Sequence, residues 1–170
     1  MLDQLTRPGC AAVLVRRGVG VPVGRYVSDL EEGDVLNPVT YEMTPFIARE
    51  YCHGVDEVAE VFHAPGTEIS GAHLAPPTLI HIDKIRLLKA NCPDGAGPDA
   101  RIHYEYHAIH HAPVPVGERL VASGSVSRRY EKRGRAYVEL EIQLRVESTN
   151  QLLTSYRDTS VLSFAAKETA

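Results

Sequence analysis

The chain has 170 residues, 44% hydrophobic and 24% charged, with 18 lysines and arginines against 22 aspartates and glutamates. That length closes one core without staples, and the composition is that of an ordinary water-soluble globular domain. The net charge of −4 excludes a general binder of nucleic-acid backbone, because no basic excess is available to neutralise phosphates.

Cys10, Cys52 and Cys92 have neither disulfide spacing nor a CxxC metal signature, which is the pattern expected in a reducing cytoplasm. The apolar run Cys10–Val15 is too short for a signal-peptide core, and no stretch approaches the roughly 20 apolar residues that span a bilayer. A cytoplasmic location is therefore expected.

Residues 1–24 read as an irregular leader broken by Pro8, Gly9, Gly18, Gly20 and Pro22. One domain is expected over 25–166, with a short tail over 167–170. Arg25 to Leu30 predicts a strand stopped by Glu31-Glu32-Gly33-Asp34, and Val35 to Met43 a second extended run. Thr44 is a good N-cap, since its hydroxyl can accept from a free first-turn amide. Pro45 suits the first helical position, where its missing N–H is not needed. Phe46, Ile47, Ala48, Tyr51 and Val55 recur at helical spacing, so the pattern predicts a helix over 45–53 stopped by Gly54.

From Asp56 to Ala75 the periodicity fades into a loop, and Pro77 and Thr78 then open a second helix. Leu79, Ile80, Ile82, Ile85, Leu87 and Leu88 lie on more than one of its faces, the mark of a very apolar, buried helix. Cys92 to Pro98 is a loop. Beyond it the period changes to two. Leu120, Ala122, Gly124 and Val126 alternate with polar or outward residues, and Ala136, Val138, Leu140, Ile142, Leu144 and Val146 alternate with Tyr137, Glu139, Glu141, Gln143 and Arg145. One apolar and one wet face is what an antiparallel strand requires. Leu152 to Phe164 adds a further strand, and Gly134 and Ser148-Thr149-Asn150 supply turns. The expected class is α+β, an antiparallel sheet around one long buried helix.

Five stretches, in order, carry a resemblance: SDLEEGD at 28–34, MTPFIAREYCHGVD at 43–56, GAHLAPPTLI at 71–80, APVPVGERLVASGSV at 112–126 and YEKRGRAYVELEIQLRV at 130–146. Together they resemble the MaoC-like hydratase/dehydratase family, in the branch similar to the N-terminal half of fused dehydratases. The resemblance implies a hot-dog fold that dimerises through its sheets. It also implies a substrate acyl chain carried on coenzyme A or acyl carrier protein, reversible addition of water to a 2-enoyl thioester, and no cofactor or metal. The family's active site is an aspartate and a histidine just after the first helix, in a pattern like G-D-x-N-P-(aliphatic)-H. Asp56 falls at the aspartate and His63 is the next histidine, seven residues on where the family has five, without the Asn-Pro pair.

Hydrating an enoyl thioester needs a group that takes a proton from water, a group that returns one to the α-carbon, and donors for the thioester oxygen. Asp56 and His63 can share the first two tasks. The plainer alternative makes them a polar helix end and a loop histidine. His53, three residues before Asp56, is an accessory candidate whose commoner role is to face the helix C-terminus. Backbone donors for the oxygen are expected at the start of the buried helix, from Ala75, Thr78 or Leu79, because Pro76 and Pro77 have no N–H.

His103, Glu105 and His107 have spacing that could bind a divalent metal from one strand face, but a solvated histidine face is the plainer reading. Asp158 is expected to pair with Arg157 or another surface cation. Arg128, Arg129, Lys132, Arg133 and Arg135 fit a turn between strands, and could also meet the phosphates of coenzyme A. No G-x-S-x-G, G-x-G-x-x-G or P-loop occurs. Two other readings stay open: a hot-dog thioesterase using Asp56, Glu57 or Glu60, and a non-catalytic acyl-binding subunit of a hetero-oligomer. The expected assembly is a homodimer or larger.

Overall fold

Period-two patterning dominates the second half of the chain, and the structure turns it into one sheet. A computed structural model describes residues 25–62, 74–95 and 102–162. The strands are β1 (Val35–Glu42), β2 (Leu74–Ala75), β3 (Ile102–His110), β4 (Val114–Pro115), β5 (Arg119–Lys132), β6 (Arg135–Val146) and β7 (Leu152–Val161); the helices are α1 (Pro45–Gly54) and α2 (His81–Asn91). The main sheet has the order β1-β5-β6-β7-β3 with every pair antiparallel, and β2 pairs with β4 beside it.

The expected faces are observed on β6 from Val138 to Val146, but Tyr137, expected on the wet face, is buried against the Tyr104 and Tyr130 rings. Val138, Leu140, Ile142, Leu144 and Val146 are buried while Glu141 and Gln143 are exposed. Gly124 lets β5 lie close to β6, because a Cβ there would sit 2.9 Å from the Glu141 carbonyl oxygen. The turn between these strands, Arg133-Gly134, has both residues at positive φ, the form that matches strand twist.

α1 keeps its predicted start, with Thr44 Oγ1 accepting from the Ile47 amide at 3.2 Å. It runs through Gly54 instead of stopping there.

The segment expected as a strand over Arg25 to Leu30 is instead a 3₁₀ turn at Val27–Asp29. Asp29 Oδ2 accepts from the Tyr26 amide at 2.8 Å, Arg25 is ion-paired with Asp34, and the Arg129 guanidinium donates to the carbonyls of Ser28 and Leu30. Side chains thus take backbone groups that a neighbouring strand would have used.

The second helix also departs from expectation. A 3₁₀ turn at Pro77–Ile80 leads into α2, which lies across β1 and β5. Leu87 and Leu88 are buried as predicted, but so are Asp83 and Lys84, while Ile85 is 43% exposed. The helix is buried without being apolar all round, because Asp158 of β7 pairs with Lys84 and Arg86 of the helix itself pairs with Asp83. Asn91 closes the far end: its Nδ2 donates to Asn37 O at 3.0 Å and to Leu87 O at 2.9 Å, and its Oδ1 accepts from the Asn37 amide at 2.7 Å.

The two edges of the sheet differ. β1 carries a register shift between Leu36 and Val39, and Pro38 sits inside it with no N–H to offer a neighbour. Among the described residues β3 has no strand on its outer side, and its Ile102, Tyr104 and Ile109 are exposed.

Candidate functional site

Asp56 follows the last turn of α1. The Glu57 amide donates to Cys52 O at 2.9 Å and the Val55 amide to Tyr51 O at 3.1 Å, the wrapped ending usually closed by a glycine in the left-handed region. Here Asp56 takes that place, with φ +55° and an exposed side chain. Aspartate is more tolerant of this conformation than most residues, yet a glycine would hold it with less strain. His53 is exposed in the final turn. Glu57 folds back, its Oε1 accepting from the Ala59 amide at 2.8 Å. His63 lies outside the described residues.

At the start of the buried helix, Ala75 is buried in the β2 pairing opposite Val114, and Thr78 is exposed. The Leu79 amide already donates to Pro76 O at 3.0 Å. Of the three expected donors, Leu79 is therefore engaged within its own turn.

A polar cluster that sequence reasoning did not assemble lies between α2, β3 and β7. Asp158 is fully buried, and its partner is the buried Lys84, not Arg157 or another surface cation: Lys84 Nζ donates to Asp158 Oδ2 at 2.6 Å. Ser160 Oγ donates to Asp158 Oδ1 at 3.0 Å. His103 Nδ1 is 3.0 Å from Lys84 Nζ and 3.2 Å from Asp158 Oδ2. A register shift between His103 and Glu105 breaks strict alternation on β3. His103 thus faces α2, while Glu105 and His107 stay exposed and bond each other at 2.8 Å. The three residues with metal-like spacing do not share a face, and the described residues hold no group of three or more metal-ligating side chains.

His81, Lys84, Ile85 and His103 line a recess of about 270 Å³ beside the first turn of α2. The His81 ring stacks on Tyr106 at 3.9 Å between centroids. Burial, with His103 and Lys84 nearby, lowers the His81 pKa and keeps the ring uncharged.

Deeper under the helix, Arg86 donates to Asp83 Oδ1 at 2.8 Å and lies over the Tyr41 ring at 3.9 Å. Burial pushes the Asp83 carboxyl up to about 6 despite Arg86, which pulls it down. Tyr41 Oη, Asp83 Oδ2 and Tyr156 Oη are buried without a hydrogen-bond partner. Burial also raises both phenols, and Tyr106 to about 12.

On the opposite face, Tyr104, Lys132, Arg133, Arg135 and Tyr137 line a recess of about 440 Å³, with the Tyr130 ring stacked on Tyr137 at 5.0 Å. Arg129 does not join this patch, since it is spent on the 3₁₀ turn.

A five-stranded antiparallel sheet with one helix laid across it defines a hot-dog domain, as the sequence reading expected. Within that class the chain has the fold of MaoC-like dehydratases and (R)-hydratases. One similar solved structure is a chain of the C-terminally truncated HadBC (3R-hydroxyacyl-ACP dehydratase) complex from Mycobacterium tuberculosis: 16% identity, TM-score 0.67, covering 76% of this chain and 96% of that one. The (R)-hydratase of A. caviae involved in PHA biosynthesis is 14% identical with a TM-score of 0.63, over 78% of this chain and 96% of its own. The MaoC-like dehydratase of Rhodospirillum rubrum is 16% identical with a TM-score of 0.61, over 84% and 100%. No family model matches the sequence, and no curated protein matches it. Among the described residues no helix is long and apolar enough to cross a membrane.

Proposed function

We propose that this protein is a hydratase/dehydratase that adds water to, or removes it from, a 2-enoyl thioester carried on coenzyme A or acyl carrier protein. The observation that carries the reading is Asp56: an exposed carboxylate held in a left-handed turn just past α1, where glycine would be the easier residue. Backbone strain of this kind concentrates at functional sites, and similar folds are named hydratases and dehydratases. In the forward direction, Asp56 and His63 take one proton from water as its oxygen bonds C3 of the enoyl group. The π electrons move toward the thioester carbonyl, and the resulting enolate collects a proton at C2. Dehydration reverses each transfer.

Loss of enoyl absorbance from crotonyl-CoA tests the reading. Asp56→Asn and His63→Ala should each lower turnover at least about a hundredfold, with the double variant scarcely worse, because paired groups acting on one water are not additive. Asp56→Gly separates chemistry from folding. It relieves about 1 kcal/mol of left-handed strain and loses about 0.4–1 kcal/mol to unfolded-chain entropy, so its stability should stay near wild type while turnover falls. Wild-type rates in both single variants would overturn the assignment.

The structurally similar HadBC dehydratase is a complex, which favours a second reading in which this chain needs a different partner subunit. Inactivity alone, with activity restored by a co-purified partner, would support that reading.

A further inference from the structure

We infer that His103 supplies the N–H that holds the thioester carbonyl oxygen, with Lys84 and Asp158 fixing its ring from behind. The inference rests on the thioester reading above and adds a donor for the thioester oxygen to it. Among the described residues the first turn of the buried helix has few amide donors: Pro76 and Pro77 have none, Leu79 is bonded to Pro76 O, and Ala75 lies buried in the β2 pairing, leaving the exposed Thr78. Beside that turn is the recess lined by His81, Lys84, Ile85 and His103.

The environment of His103 assigns its proton. A lysine ammonium can only donate, so the Nδ1 lone pair faces Lys84 Nζ at 3.0 Å. Asp158 Oδ2 is farther from Nδ1, at 3.2 Å, and accepts from the same ammonium at 2.6 Å, while Oδ1 accepts from Ser160. With Nδ1 accepting from the lysine, the ring N–H is on Nε2, and the ring, 41% exposed, lines the recess. An imidazole whose Nδ1 accepts from the Lys84 ammonium is polarised toward donation at Nε2, and a donor already fixed in place needs no reorganisation to meet negative charge developing on a bound oxygen. A buried Lys–Asp pair is weak as a source of stability, but it holds one tautomer. The register shift at His103 is the kind of irregularity that re-aims a side chain at a site.

Two measurements test this. Nitrogen-15 NMR of the ligand-free protein at neutral pH should show His103 as the Nε2–H tautomer; an Nδ1–H tautomer overturns the proposal whatever the activity. In crotonyl-CoA kinetics, His103→Ala should lower kcat by about 10²–10³ with little change in KM, and His103→Gln, which keeps an N–H donor, should recover part of the loss. Hydration by His103→Ala at the wild-type kcat overturns the donor role and leaves the hydratase reading standing. If wild type does not hydrate but binds [1-¹³C]butyryl-CoA, a downfield carbonyl shift that His103→Ala abolishes supports the donor while the hydratase reading fails. No thioester binding at all overturns both.

Discussion

Replacing Asp83 by asparagine should change how stability depends on pH, in a direction the structure dictates. The folded carboxyl titrates near 6 against an ordinary value of 3.8, chiefly because it is buried. Folding therefore favours the protonated form. The stability this group contributes is fully present below about pH 4 and is lost as pH rises through about 6. A shift of about 2 units corresponds to roughly 3 kcal/mol. Other carboxylates titrate in the same range, so the useful quantity is wild type minus Asp83→Asn, from urea melts at intervals between pH 3.5 and 8. Asparagine cannot ionise, so the difference should fall by roughly 2–3 kcal/mol across that window and flatten above pH 7. Asparagine also keeps an acceptor for Arg86, which is 2.8 Å from Asp83 Oδ1. At pH 7.5 wild type must ionise a buried carboxyl that the neutral asparagine replaces, so linkage alone places the variant as stable as wild type or more so, less whatever Arg86 loses with its counter-charge. A flat difference curve, or one rising with pH, would refute the assignment of a carboxyl that resists ionisation.

Leu140 is 1% exposed at the centre of β6, whereas Glu141 beside it faces solvent. Leu140→Ala should cost about 2–5 kcal/mol in denaturant melts and Glu141→Ala about half a kcal/mol or less; equal losses would mean the faces are wrong. Light scattering at micromolar concentration should give at least twice the chain's 18.7 kDa, because the open β3 edge with its exposed Ile102, Tyr104 and Ile109 invites a second strand. A monomeric mass would count against that assembly.

The sheet was legible because β5 and β6 state their faces residue by residue: Leu140 and Ile142 in, Glu141 and Gln143 out. The start of α1 was legible for a similar reason, since Thr44-Pro45 is a local signal answered by a local bond. What could not be read depended on partners distant in sequence. Asp83 and Lys84 look like the wet side of a helix until Arg86, Tyr41 and Asp158 are brought to them, and Lys84 and Asp158 are 74 residues apart. The extra residue in β3 had the same effect on the His103, Glu105 and His107 spacing, which held in sequence and failed in space. The segment around Arg25 was misread because its backbone is claimed by Arg129, 99 residues from Leu30. Asp56 lies where the sequence placed it, at a helix end, but only the backbone reveals its left-handed φ.

Pro38 in the β1 register shift has a consequence for how many copies can assemble. A sheet with two receptive edges can add chains at both ends without limit, and that is the route to fibres. With β1 blunted, β3 is the receptive edge among the described strands, and a symmetric pair made there would use it up on both chains. Growth would then stop at a closed unit, because the edge that a third chain needs is the one that Pro38 interrupts.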